Sequence, residues 1–142
     1  MEEQLITFET AKTAKEKGFD WESSGLYDEK CILGINHLNY KRLFTNSKED
    51  TYNIAAPTQA LLQKWLRKKK EIYIHVAVWR NMDHCDEFTS IITKPAYIKP
   101  LYDKGNKGLD IMESKAVAFK YTYEEALEAG LQEGLKLISN EL

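Results

Sequence analysis

The densest run of reactive side chains in the chain is Asp83-His84-Cys85-Asp86. Two kinds of chemistry could use it. A zinc site needs three or four nitrogen, sulfur or oxygen ligands converging on one point. Neighbours within one turn do not all face one ion, so His75, Cys31 or His37 would have to complete the set. No Cys-x-x-Cys or His-x-x-x-His spacing supplies a ready pair. A cysteine nucleophile needs a thiolate held by an imidazole and an oxyanion hole of backbone N–H groups. Cys85 or Cys31 could pair with His37, His75 or His84, but no glycine-rich elbow frames either cysteine. Cys31 lies beside Ile32 and Leu33 and reads as core, since cysteine is among the most buried residue types. A thiol- or metal-dependent enzyme centred on His84 and Cys85 is therefore the third-ranked reading. The favoured expectation is no catalytic residue, no cofactor and no metal.

Other reactive types are accounted for by structure. Carboxylate pairs occur at Glu2/Glu3, Glu49/Asp50, Asp86/Glu87 and Glu124/Glu125. The last suits the first turn of a helix, where the dipole favours acids; the others read as tails and loops. Gly105-Asn106-Lys107-Gly108 lacks the length and the following Lys-Ser/Thr of a phosphate-binding loop.

Charge makes a second candidate. The 20 Lys+Arg and 22 Asp+Glu give a formal charge of -2, so the chain as a whole is not built to coat a polyanion. Residues 41–80 nevertheless hold 9 bases and 3 acids, and Lys64, Arg67, Lys68, Lys69 and Lys70 crowd one segment. These five are a candidate patch for an acidic protein or a nucleic acid. Part of the crowding has a local cause, because cations are favoured in the last turn of a helix. Trp65 falls on the apolar stripe of the same segment, which argues for a buried ring that does not stack on bases.

These residues must be positioned by regular elements. The spacing predicts a helix over 7–17, with Thr7 as cap, Phe8, Ala11 and Ala14 inward, and Gly18 as the terminating residue followed by Phe19 folding back. A second helix is expected over 57–69, with Pro57 at its first position and Leu61, Leu62, Trp65 and Leu66 forming the stripe. Residues 72–79 alternate as a strand. Ile72, Ile74, Val76 and Val78 face one way, toward helices; Tyr73, His75, Ala77 and Trp79 face the other, half covered. Phe88–Thr93 reads as the returning strand of a hairpin, Pro95 and Pro100 as interruptions that leave Tyr97–Tyr102 an edge strand or extended loop, and Ser114–Tyr121 as a further strand. The last helix, 123–139, opens on Thr122 with Glu125 three residues on and Tyr121 and Ala126 as a hydrophobic staple. Its inward stripe contains Gly130 and Gly134, which implies close approach to the sheet. Glu124, Glu125, Glu128, Glu133 and Lys136 surround these glycines, so the spacing is not a membrane-packing motif. Residues 20–56 are harder to read; Cys31–Ile35 suggests a strand and Asn46–Asp50 an exposed loop.

The expected architecture is a single α+β domain over residues 1–142: an antiparallel sheet of three to four strands with two or three helices mainly on one face. No apolar run reaches the ~18 residues of a membrane helix. The first residues carry no signal-peptide pattern, and two cysteines 54 positions apart suit a reducing cytoplasm.

The segments ITFETAKTAKEKGFDW (6–21), APTQALLQKWLRKK (56–69) and YTYEEALEAGLQEGLKLI (121–138) resemble a family of small uncharacterised phage and prophage proteins from Bacteroidetes and other gut bacteria. The resemblance implies a bacterial, cytoplasmic setting. It brings no activity, cofactor or catalytic residue with it. The first expectation is thus a phage-type accessory protein, a non-catalytic binding module that meets a protein partner or a second copy through the Tyr73/His75/Ala77/Trp79 face. The alternative is a nucleic-acid-associated factor using the Lys64–Lys70 patch.

Overall fold

The computed structural model describes residues 4–28, 33–35, 45–46, 53–80, 86–98, 109–120 and 122–138. Helix α1 spans Phe8–Glu16, followed by strands β1 (Gly25–Tyr27), β2 (Leu33–Ile35) and β3 (Ile54–Ala56). Helix α2 spans Gln59–Lys70 and leads into β4 (Tyr73–Arg80), β5 (Asp86–Ile98) and β6 (Leu109–Lys120). Helix α3 closes the order at Tyr123–Lys136. The strands form two antiparallel sheets, β2-β1-β3 and β4-β5-β6. The class is α+β, with a three-stranded main sheet as expected and a second small sheet in which only β2, inside the expected Cys31–Ile35 strand, is legible from the sequence.

Local chemistry sets the helix ends. Thr7 caps α1, and Gly18 (φ 92°) turns the chain so that the Phe19 N–H reaches the Ala14 carbonyl at 2.9 Å. In α2 the cap is Thr58, whose hydroxyl accepts from the Leu61 N–H; Pro57 therefore stands before the cap and not at the first helical position. The helix ends at Glu71, which takes the left-handed conformation (φ 56°) that usually falls to glycine. Thr122 caps α3 by accepting from the Glu125 N–H at 3.1 Å; Tyr121 lies outside the described residues.

Helix α3 lies across all three strands of the main sheet, while α2 packs against α3 and β4. Helix α1 packs against α3 and β3, so it serves the small sheet. The two α3 glycines allow the close approach. A Cβ on Gly130 would sit 2.7 Å from Ser90 Cβ and 2.9 Å from Ile74 Cγ2, and one on Gly134 2.8 Å from Ile74 Cδ1. A single core runs from Ile6 and Ala11 through Phe19, Leu62 and Trp65 to Ile72, Ile74, Leu131 and Ile138. Phe19 meets Trp65 edge-on at 5.4 Å.

Two strand expectations need correction. Pro95 does not interrupt: β5 continues through it, opposite Met112 of β6. The pairing with β4 stops at Thr93, so beyond that point β5 has lost one neighbour. A proline is tolerated on such an edge, where one side of the strand has no ladder to break. The aliphatic face of β4 is also only half used. Ile72 and Ile74 are buried, Val76 is partly covered and Val78 is 60% exposed, because the strand runs on past the helices. Residue Asn46, expected in an exposed loop, is partly buried; it donates to the Phe19 carbonyl and accepts from the Ala55 N–H.

Candidate functional site

The cationic segment lies where the sequence places it. Lys64, Arg67, Lys68, Lys69 and Lys70 are all exposed on α2. Among the described residues no carboxylate forms an ion pair with any of them. Lys70 holds its ammonium 5.7 Å from the centroid of the Trp65 ring. Trp65 is itself 2% exposed and donates its indole N–H to Asp20 at 3.3 Å, so its ring is core. The cluster ends against β4: only Glu71 and Ile72 separate Lys70 from Tyr73.

From Tyr73 onward, period-two alternation divides β4 into an inner and an outer side. On the outer side Tyr73 is 41% exposed, Trp79 is 56% exposed, His75 is exposed and Ala77 is partly covered. The register continues this side onto the neighbouring strands, pairing Tyr73 with Thr93 and then Ser114, and His75 with Ile91 and then Ala116. Thr93 and Ser114 share a 2.9 Å hydroxyl contact across the strands. Ser114 and Ala116 are exposed, and Ile91 and Thr93 are partly covered. Thr89, paired with Ala77 on this side, is 1% exposed, so the face is partly covered, as expected, with Tyr73, His75 and Trp79 its open positions.

A buried polar cluster is the feature that sequence reasoning missed. Glu128, expected among the solvated residues of α3, is buried. Its Oε1 accepts from the Thr7 N–H at 2.7 Å and the Thr10 hydroxyl at 2.6 Å. Its Oε2 accepts from Gln59 Nε2 at 3.0 Å, and the same amide donates to the Glu124 carbonyl. Gln132 donates to the Thr10 hydroxyl. One carboxylate thus ties the start of α1 and the start of α2 to α3. Burial, with the Glu128 charge as the smaller cause, holds the Tyr27 phenol above its usual pKa of 10.0. That phenol donates to the Ile6 carbonyl at 2.7 Å. The signal was available in the spacing: Glu128 stands three and seven residues before Leu131 and Leu135, on the inward side. With its oxygens engaged by three donors, the carboxylate acts as a clasp between helices.

The third candidate is not brought into view. His84, Cys85, Asp83, Cys31 and His37 lie outside the described residues, and His75 stands exposed on the outer side of β4. Among the described residues no group of three His, Cys, Asp or Glu side chains could hold a metal ion. Nor is any helix there long and apolar enough to cross a membrane. Comparison with known proteins gives no match: no family model, curated protein or solved structure is similar to this chain.

Proposed function

We propose that this protein is a non-catalytic binding module whose working surface is the outer side of the β4-β5-β6 sheet. The supporting observation is the exposure of Tyr73, His75 and Trp79 on a strand that joins the core on its opposite side only at Ile74, next to Ile72. Aromatic side chains offer a large contact area at little entropy cost and are enriched where proteins meet partners. A folded chain gains nothing for its own stability by leaving an indole more than half in water. The resemblance to phage and prophage proteins makes an accessory role in a bacterial cytoplasm the proposed setting.

The double variant Tyr73→Ser/Trp79→Ser tests this reading. Its urea midpoint is expected to match that of the parent protein, because surface substitutions away from packed features change stability by only about 0.5 kcal/mol. A loss of several kcal/mol would show that the face is packed inside the molecule and would defeat the proposal.

A further inference from the structure

We infer that the occupant of this surface is a single-stranded nucleic acid, its phosphates on the end of α2 and its bases on the outer side of β4. The inference rests on the reading of that sheet side as the working surface and adds the chemical class of the partner. Two observations converge on it. The first is charge: Lys64, Arg67, Lys68, Lys69 and Lys70 are exposed with no carboxylate paired to them among the described residues. The last of them lies three residues from Tyr73, within ~11 Å along even a fully extended chain. The second is the kind of surface that follows. Tyr73, His75 and Trp79 share one side of one strand, spread over about 20 Å at the usual rise. Proteins that hold single strands combine a cationic track for the backbone with aromatic rings on which successive bases stack.

The arrangement discriminates against the other polyanions. A duplex hides its base faces, so it would use the cations and leave the rings idle. An acidic peptide would use the cations but has little to place on Tyr73 and Trp79. Trp65, the ring nearest the cations in sequence, is buried and takes no part.

The test is fluorescence anisotropy of a labelled mixed-sequence single strand of twelve or so nucleotides, DNA and RNA, beside the matching duplex, from low to physiological salt. The expected result is preferential binding of the single strand. Its log affinity should fall with log salt at a slope near -2 to -3.5, about -0.7 for each of three to five neutralised phosphates. Arg67→Glu/Lys68→Glu/Lys69→Glu should abolish binding and flatten that slope. Trp79→Ala and Tyr73→Ala should each weaken binding roughly tenfold while leaving the slope unchanged, the size of one lost base stack. Equal affinity for duplex and single strand, with both aromatic variants neutral, would overturn the inference. So would the absence of binding at low salt. If the parent protein then sediments as a dimer that Tyr73→Ser/Trp79→Ser converts to monomer, the working surface survives and its occupant is a second copy. If that variant instead fails to fold, the surface reading falls as well.

Discussion

Glu128 shows how one buried acid is held. Its oxygens face three donors, the Thr7 N–H, the Thr10 hydroxyl and the Gln59 amide, and each bond to the ionised form is stronger than a neutral one. Glu128→Gln places a second donor among donors. It should lower the free energy of unfolding by about 1–3 kcal/mol, the cost of leaving a buried polar group unpaired, as read from urea melts. Ser90 is the converse. Its buried hydroxyl has no hydrogen-bond partner among the described residues and lies against Gly130, so Ser90→Ala should raise stability by ~1 kcal/mol. The Tyr27 phenol predicts an alkaline effect. Because the folded state holds its proton more tightly than the unfolded chain, the stabilisation is complete below pH 10 and is lost as pH rises through the raised folded value. Stability measured from pH 8 to 11.5 should therefore fall less steeply in Tyr27→Phe than in the parent protein.

At the scale of elements, the contact between α3 and the main sheet is set by absence of side chains. Gly130→Ala gains helix propensity of roughly 1 kcal/mol, yet its methyl would meet Ser90 Cβ, fixed to the β5 backbone, at 2.7 Å and Ile74 Cγ2 at 2.9 Å. Overpacking of this kind costs about 1–3 kcal/mol, so thermal melts should show a net loss. Glu71, with φ 56°, invites the opposite change: Glu71→Gly should stabilise the α2 terminus by ~1 kcal/mol. These elements differ in how plainly the sequence announces them. The helices are legible because caps and stripes are local: Thr7, Thr122, Gly18 and the Leu62/Trp65/Leu66 row each act within a turn or two. The β4–β5 hairpin is legible through alternation. The strands of the small sheet are three residues each, too short to display a period, and are fixed by pairing partners distant in sequence. The reach of β5 past Pro95 depends on where β4 stops, which no local pattern encodes. Glu128 reads as solvent-facing by residue type, and only its spacing from Leu131 and Leu135 betrays it. The cationic cluster is legible as charge, whereas the exposure of Val78 on the aliphatic side depends on how far the helices extend over the sheet.

For the whole molecule, the helices, the small sheet and the inner side of β4 and β5 share one core, and the other side of the main sheet carries the exposed Tyr73, His75 and Trp79. That division underlies both the binding role and its nucleic-acid form. It is tested most directly by the three indole N–H groups in the NMR spectrum of the free protein, with a soluble paramagnetic agent added. The Trp79 signal should broaden strongly and the Trp65 signal, buried and bonded to Asp20, should persist, with the partly covered Trp21 between them. A Trp79 signal as protected as that of Trp65 would mean that the face is closed within the chain, and would contradict the account.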